Sequence, residues 1–557
     1  MRAIRIVGLS AGRNHATALV TRAGRQPNAR LVVLDDDAPG SGPGMGAVVT
    51  TVPIEGWHRT PTRSRQPIGE QLNWAKPTIE GLEPGTRYRL RVLDEGTGEL
   101  AEAVITTAPA ANCDRFRLAS GSCFDVNGQH AEVLEHAYDQ LAGPSDRAAP
   151  PTYNVWLGDQ VYVDAPWLET TTTAKMRSII FDRYLRTWGI SERSSFQQAM
   201  RNTSNWFIPD DHEFWNGYPN PSWLTLFGHT ARRFARQLYR LPKPGPPHPA
   251  AQGKWGSTAG EAYALFASTL DFDEFDEDHS PPALQVIEGE RAVVVLVDQR
   301  WHRTIRRFGL GAGFMRSEDL DQLLELLASE DRLVCLALSK PMIGHLPHRG
   351  VTQKKVEYGP EDYAGQYTAL WQAMAERRRT NRPTLCVAGD VHHHAIRAAD
   401  DAGLLEVVSS PLSMLEALND DSPISRLRQA WIPVRTGLRT TWRAIKSVAR
   451  RGEEALRPDL TVDTRNAYPA FAADGTWRPE AGEALYEDPN EASGLATIDL
   501  AYRTDGEGRG VHVVTVDYVI GSANDQGDVT TRHEARSFQW APANTNDPTG
   551  RAAWQKL

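Results

Sequence analysis

The segment Tyr153-Asn154-Val155-Trp156-Leu157-Gly158-Asp159-Gln160-Val161-Tyr162 decides how the chain is read. A short, mostly apolar run long enough for one buried strand stops at a glycine, where the backbone can turn sharply, and a carboxylate follows at once. The pattern recurs. Residues 116–119 run on to Gly121-Ser122-Cys123, and 206–208 to Asp210-Asp211-His212-Glu213. Residues 291–297 lead to Asp298-Gln299-Arg300, and 384–388 to Gly389-Asp390-Val391-His392. Helical patterns over 131–141, 317–327 and 363–378 alternate with these runs and with a further strand over 332–338. Short apolar strands alternating with helices predict an α/β domain, and in such sheets ligands sit at the carboxyl ends of strands.

Upstream the texture changes. Residues 1–112 read as an all-β unit, with strands expected over 30–34 and 47–52 between Gly/Pro-rich turns. In Gly81-Leu82-Glu83-Pro84-Gly85-Thr86-Arg87-Tyr88-Arg89-Leu90-Arg91-Val92 a Pro-Gly turn enters an alternating strand with Tyr88, Leu90 and Val92 on one face. Its Leu-x-Pro-x-Thr-x-Tyr spacing resembles the tyrosine corner of a fibronectin type III-like sandwich. An Ala- and Pro-bearing stretch over 104–111 serves as linker, and 113–557 is expected to form the second domain. Near the far end, 496–502 and 511–519 alternate strongly and are expected to close a sheet edge.

The bulk composition excludes several classes. The 557 residues are 40% hydrophobic and 24% charged, which is incompatible with a mostly disordered or collagen-like chain. The formal charge of −9 lacks the basic bias of a dedicated nucleic-acid binder, so no specific nucleic-acid partner is expected. No apolar run approaches the ~18 residues of a membrane span. Residues 1–9 carry too short an apolar stretch for a signal peptide, so the chain as written reads as cytoplasmic. Cys113, Cys123, Cys335 and Cys386 are too few for a disulfide scaffold and lack the spacing of a zinc ribbon.

Five polar clusters thus stand after apolar strands: Cys123; Asp159 with Tyr162; Asp211 with His212; Asp298; and Asp390 with His392. Each alone has an ordinary reading. Gly-Asp is a common turn, a buried Cys is usually a small core hydrophobe, and His392-His393-His394 could form a solvated loop. Their joint occurrence carries the argument. Burying several ionised carboxylates at one sheet edge is costly without positive charge, and one or more metal cations is the economical source. Two cations a few Å apart would bind a phosphate oxygen, acidify a bridging water and stabilise the leaving oxygen.

Taken in order, Gly121-Ser122-Cys123, Gly158-Asp159-Gln160-Val161-Tyr162, Asp210-Asp211-His212-Glu213, Asp298-Gln299-Arg300, Gly389-Asp390-Val391-His392 and Val407-Val408-Ser409-Ser410-Pro411 resemble the motifs of PhoD-like alkaline phosphatases, a branch of the metallophosphoesterase superfamily. The resemblance spans about residues 1–415, with the terminal strands included. It implies a four-layer α/β/β/α core behind the β-sandwich. It also implies hydrolysis of phosphate mono- and diesters by a metal-bound hydroxide at a mixed Fe(III) and Ca(II) centre. By the same resemblance Cys123 and Tyr162 are ligands to ferric iron, Asp159 bridges, and Asp211, Asp390 and His392 are further ligands. His212 stands near the leaving group. Thiolate and phenolate suit Fe(III), while carboxylates suit a hard cation such as calcium. Asp298 and Arg300 are read either as phosphate contacts or as a structural ion pair. Members of the family are usually exported.

One further stretch stands apart. Leu427, Trp431, Val434, Leu438, Trp442, Ile445 and Val448 recur at helical spacing inside an insertion over about 421–458, with Arg435, Arg439, Arg443, Lys446 and Arg450 one position on. This basic helix either packs its apolar stripe on the catalytic domain, lies on an anionic membrane surface, or steers anionic substrates. The expected partners are small phosphate esters. The alternatives are a phosphodiesterase directed at phospholipids or nucleotides, and a metal-holding binding protein without turnover.

Overall fold

The computed structural model describes the chain from Ile4 to Leu557 apart from its less certain segments. Those outside the description are chiefly 36–45, 60–71, 110–114, 143–151, 164–172, 219–252, 270–279, 304–312, 344–359, 414–469 and 543–551, with some shorter stretches. The 421–458 insertion and its basic pattern therefore lie outside the described residues, as does Cys113.

The N-terminal region holds two sheets. One joins Arg5–Ala11, His15–Ala23, Leu72–Ala75 and His58–Arg59, with Thr78–Glu80 also paired to the second strand. The other runs Ala47–Pro53, Ala29–Asp35, Arg87–Asp94, Glu99–Thr106. Arg87–Asp94 alternates strictly, and Tyr88, Leu90 and Val92 share a buried face, as their spacing predicts. They meet Ile6, Ala18, Val20 and Ile79 of the first sheet in one core. The Tyr88 hydroxyl accepts the Glu83 backbone N–H at 2.8 Å, tying the turn to the strand.

Downstream lie two seven-stranded sheets. The first runs in the order Ser204–Phe207, Tyr153–Trp156, Arg115–Gly121, Ser493–Thr504, Gly510–Ala523, Val529–Ala541, Ala553–Lys556. Its first three strands are parallel and the rest antiparallel. The second runs Leu284–Glu288, Ala292–Val297, Leu333–Leu338, Thr384–Ala388, Leu404–Val408, Ala395–Ala399, Glu483–Glu487. Its four central strands include the parallel set Ala292–Val297 to Leu404–Val408, buried along their whole length. This explains why they read as unbroken apolar runs rather than alternating ones.

The expectation for the late strands needs correcting. Ser493–Thr504 and Gly510–Ala523 do not close an edge. They sit inside the first sheet, between Arg115–Gly121 on one side and Val529–Ala541 on the other. The misplacement has a physical cause. Val529–Ala541 keeps its first half largely solvent-exposed, so its sequence carries little apolar signal, yet it pairs along eleven positions of its neighbour.

Three cores account for the downstream packing. Tyr153, Val155, Ile498 and Val516 of the first sheet meet Val294, Leu296, Cys335, Leu385 and Val407 of the second. Trp156 and Phe207 face the other way, toward Leu134, Tyr184, Phe196 and Phe266 of the helices Glu132–Ala142, Thr173–Thr187, Ser195–Met200 and Gly253–Ala267, and toward Trp188 just past the second of these. Val295, Leu336 and Cys386 likewise meet Leu323 and Leu327 of Ser317–Ser329, and Trp371 and Met374 of Pro360–Arg379. Each such side chain contributes about 1.5–3 kcal/mol by leaving water. No helix among the described residues is long and apolar enough to cross a membrane.

One polar group in this apolar interior has a measurable signature. Glu406 is fully buried in the strand Leu404–Val408, and its carboxylate accepts the backbone N–H groups of Met342 and Ile343. Burial raises its pKa to about 7, against the opposing pull of those two amides and of Arg397. A carboxyl that binds its proton more tightly folded than unfolded loses stability as pH climbs from the ordinary glutamate range through about 7. Glu406→Gln is therefore expected to melt progressively higher relative to wild type between about pH 5 and pH 8. A difference in melting temperature that stays constant over that range would count against the assignment.

Candidate metal centre

Strand register brings the chemistry together. In the first sheet Gly121, Trp156 and Phe207 stand level, and in the second Val297, Leu338, Ala388 and Val408 do. The polar residues begin just past these two rows, at the carboxyl ends of the parallel strands, where ligands gather in α/β sheets.

Asp159 is the hub. Its Oδ2 lies 3.6 Å from Cys123 Sγ and 3.5 Å from the Tyr162 hydroxyl, while its Oδ1 accepts the His212 backbone N–H at 3.0 Å. Donor atoms of Asp159, Asp211 and His212 all lie within 4.8 Å of one another, and so do those of Asp159, Asp210, Asp211 and Asp390. The His212 ring packs on the Tyr162 ring with centroids 4.3 Å apart. Cys123 Sγ also receives the Ser410 hydroxyl at 3.2 Å. Of the six non-glycine residues with positive φ among the described residues, four are Cys123, Asp159, Asp390 and His392. Such conformations are sparse and collect where a site dictates the backbone.

Two buried cations face the carboxylates. Arg300, fully buried, pairs through Nε with Asp210 Oδ1 and reaches Asp211 Oδ1 at 3.4 Å. Lys340, 3% exposed, sets Nζ 2.5 Å from Asp390, 3.0 Å from Asp210 and 3.8 Å from Asp211. Burial pushes the Asp159 carboxyl well up; His212 opposes this and Asp210, Asp211 and Asp390 add to it. Burial also raises Asp210, more than Arg300 and Lys340 lower it. At Asp390 burial acts upward, but Lys340 prevails and holds the group below its usual range. Burial raises the Cys123 thiol, reinforced by Asp159 and Asp390, and it raises the Tyr162 phenol as well.

The arrangement parallels a solved fold. A structure of PhoD superimposes over 99% of this chain and 91% of that one, with a TM-score of 0.60 and 13% sequence identity. The chain has a PhoD-like fold. The sensor domain of the anti-sigma factor RsgI4 in Pseudobacteroides cellulosolvens covers 19% of this chain and 96% of its own, with 14% identity and a TM-score of 0.12 that carries no argument. No family model matches the sequence, and no curated protein matches it.

The donors fit a cation. Four carboxylates converge with two basic side chains against them among the described residues, a concentration of oxygen donors that a cation could share. A thiol, a phenol and carboxylates around one point make a donor set suited to a highly charged metal. Cys123, Asp159, Tyr162, Asp211, His212 and Asp390 fall within this contact network. The ring of His392 belongs to neither donor group. Its backbone N–H donates to Ser410 Oγ at 3.2 Å, and that hydroxyl in turn donates to Cys123 Sγ. His393 and His394 are buried and belong to neither donor group, with the His394 ring against Tyr518. Asp298 accepts the backbone N–H groups of Arg300 and Trp301, each at 2.8 Å, so it shapes the turn that aims Arg300.

Sequence reasoning missed three participants. Asp210 and Glu213 stood inside a quoted motif without a role. Glu213 accepts the backbone N–H groups of Asp159, Asp210 and Val161, and burial raises its pKa to about 8. Asp210 and Glu213 form a capping box on the short turn Asp211–Glu213, a pattern legible as Asp-x-x-Glu. Lys340 follows an apolar strand just as the acidic residues do, but a search for metal ligands passes over a lysine.

Gly158 holds the geometry at its tightest point. Its φ is +95°, and a Cβ there would lie 2.4 Å from Asp210 Cβ and 2.8 Å from the Asp210 nitrogen. Gly158→Ala should cost at least about 1–3 kcal/mol from backbone strain, and push Asp210 off Arg300 and Lys340. A thermal melt matching wild type would show that the two turns can separate freely.

Proposed function

We propose that the chain is a metal-dependent hydrolase of phosphate esters of the PhoD type, acting on small monoesters or diesters. One observation carries the reading. Cys123, Asp159, Tyr162, Asp211, His212 and Asp390 come from four strand ends of two sheets, yet they converge within one contact network around Asp159. On this reading the two downstream sheets with their flanking helices are the α/β/β/α layers, 113–557 is the catalytic domain, and the preceding sheet pair over 1–112 is the fibronectin III-like sandwich.

Cys123, Tyr162 and Asp159 would hold a ferric ion, and Asp159, Asp211 and Asp390 a harder cation such as calcium, with His392 completing the set after a side-chain rotation. Metal ions at such a site act as Lewis acids that polarise a phosphoryl oxygen and acidify a water. The protein's own residues do the rest. Asp159 spans the two groups of donors. Arg300 pairs with Asp210 and Asp211 and steadies that side of the cluster. His212 is partly exposed with its ring tilted against Tyr162, and it would hold a proton for the leaving oxygen.

The test is turnover of p-nitrophenyl phosphate and bis-p-nitrophenyl phosphate, with and without chelator. Asp159→Asn keeps both the volume and the tolerance for a positive φ, while removing the charge. It is expected to lose metal and to lower turnover by orders of magnitude, and a folded Asn variant with normal rates would refute the centre. A second test reads the phenolate directly. A ferric phenolate absorbs in the visible, so the iron-loaded protein should be coloured and Tyr162→Phe should lose that band. An unchanged spectrum at full iron content would make Tyr162 a packing residue.

A further inference from the structure

Lys340 stands in an unusual place. It follows the strand Leu333–Leu338 by two residues, and its side chain is almost wholly withdrawn from solvent. Its ammonium lies within 4 Å of three carboxylates, those of Asp390, Asp210 and Asp211. Two of these, Asp211 and Asp390, are assigned above as metal ligands. The loop that carries it is pinned from both sides. The Lys340 backbone N–H donates to Gln299 Oε1 at 3.3 Å, and Glu406 takes the N–H groups of Met342 and Ile343. The ammonium is therefore delivered to the cluster by a fixed backbone. A lysine ammonium is a compact point charge with three donors, and here its donors are aimed at oxygens that a cation would otherwise share.

We propose that Lys340 is the built-in counter-cation of the site, a positioning residue. It keeps Asp210, Asp211 and Asp390 assembled in the metal-free protein, and its ammonium must withdraw before a divalent cation can occupy that end. The centre consequently has two unequal halves. Among the described residues, no lysine pairs with the half at Cys123, Asp159 and Tyr162. The half at Asp211 and Asp390 is already partly neutralised, so it takes a divalent cation weakly. This inference rests on the metal-centre reading above and deepens it.

The experiment uses the full chain stripped with chelator and then titrated with calcium alone by calorimetry, with bound metal counted by elemental analysis. Lys340→Gln retains most of the side-chain length and loses the charge. It should bind calcium at least about tenfold more tightly than wild type, because the ammonium no longer opposes entry while Arg300 stays on Asp210 and Asp211 in both proteins. The stripped Gln variant should also melt lower than stripped wild type and recover on adding calcium. Lys340→Arg should melt and bind like wild type. A role in packing alone would not give calcium-dependent recovery. Calcium affinity no higher in the Gln variant than in wild type overturns the proposal, as does a melting loss that calcium fails to repair. If the stripped Gln variant does not fold, refolding in calcium decides: folding with calcium supports the proposal, and failure in both conditions overturns it. The underlying centre is judged separately, by whether Cys123→Ser lowers the iron content of otherwise wild-type protein.

Discussion

Four carboxylates share a buried space less than 5 Å across, and much of the surrounding structure answers to that charge. Ionised groups so close and so dry repel one another, and desolvation of each costs several kcal/mol. The fold meets the difficulty from three directions. Arg300 and Lys340 enter as buried cations. Backbone amides of short turns point inward, as at Glu213, which gathers three of them. Asp159 and Asp210 are held toward their protonated forms by burial itself. None of this would be needed if the strand ends carried apolar residues.

The sheets make the convergence possible. A single parallel sheet presents its strand ends along a line, which would string the donors out at nearly 5 Å intervals. Here two sheets packed face to face bring two such lines together, so that Cys123 and Asp159 from one meet Asp390 and Lys340 from the other. The apolar core between them, built from residues such as Val155, Val294 and Leu385, fixes their separation. Packing density thus becomes geometric accuracy at the site.

Much of this was legible in the sequence, for definite reasons. Parallel strands buried on both faces are unbroken apolar runs, so 384–388 and 333–338 were found almost to the residue. Each run stops at a polar residue, which marked Cys123, Asp159, Asp211, Asp298 and Asp390. The limits were equally physical. Strand order is set by pairing between distant segments, and nothing in 496–519 says whether a neighbour follows on the far side. The half-exposed strand Val529–Ala541 and the short Ala395–Ala399 have too little apolar contrast to stand out. Lys340 was invisible because a lysine at a loop is ordinarily in water, and only the assembled sheets show that this one is not.

The left-handed backbone at Cys123 has an implication for anyone engineering this chain. Asp and Asn adopt positive φ with modest strain, and glycine with none, whereas a cysteine at +58° has no hydrogen bond to its own backbone to offset the conformation and relies on its contacts with Ser410, Asp159 and Tyr162. Glycine at that position would relax the turn and spare a buried thiol. If Cys123 holds a metal as proposed, a library sorted for heat resistance alone would have no reason to keep the sulfur there, and selection would have to read metal content as well.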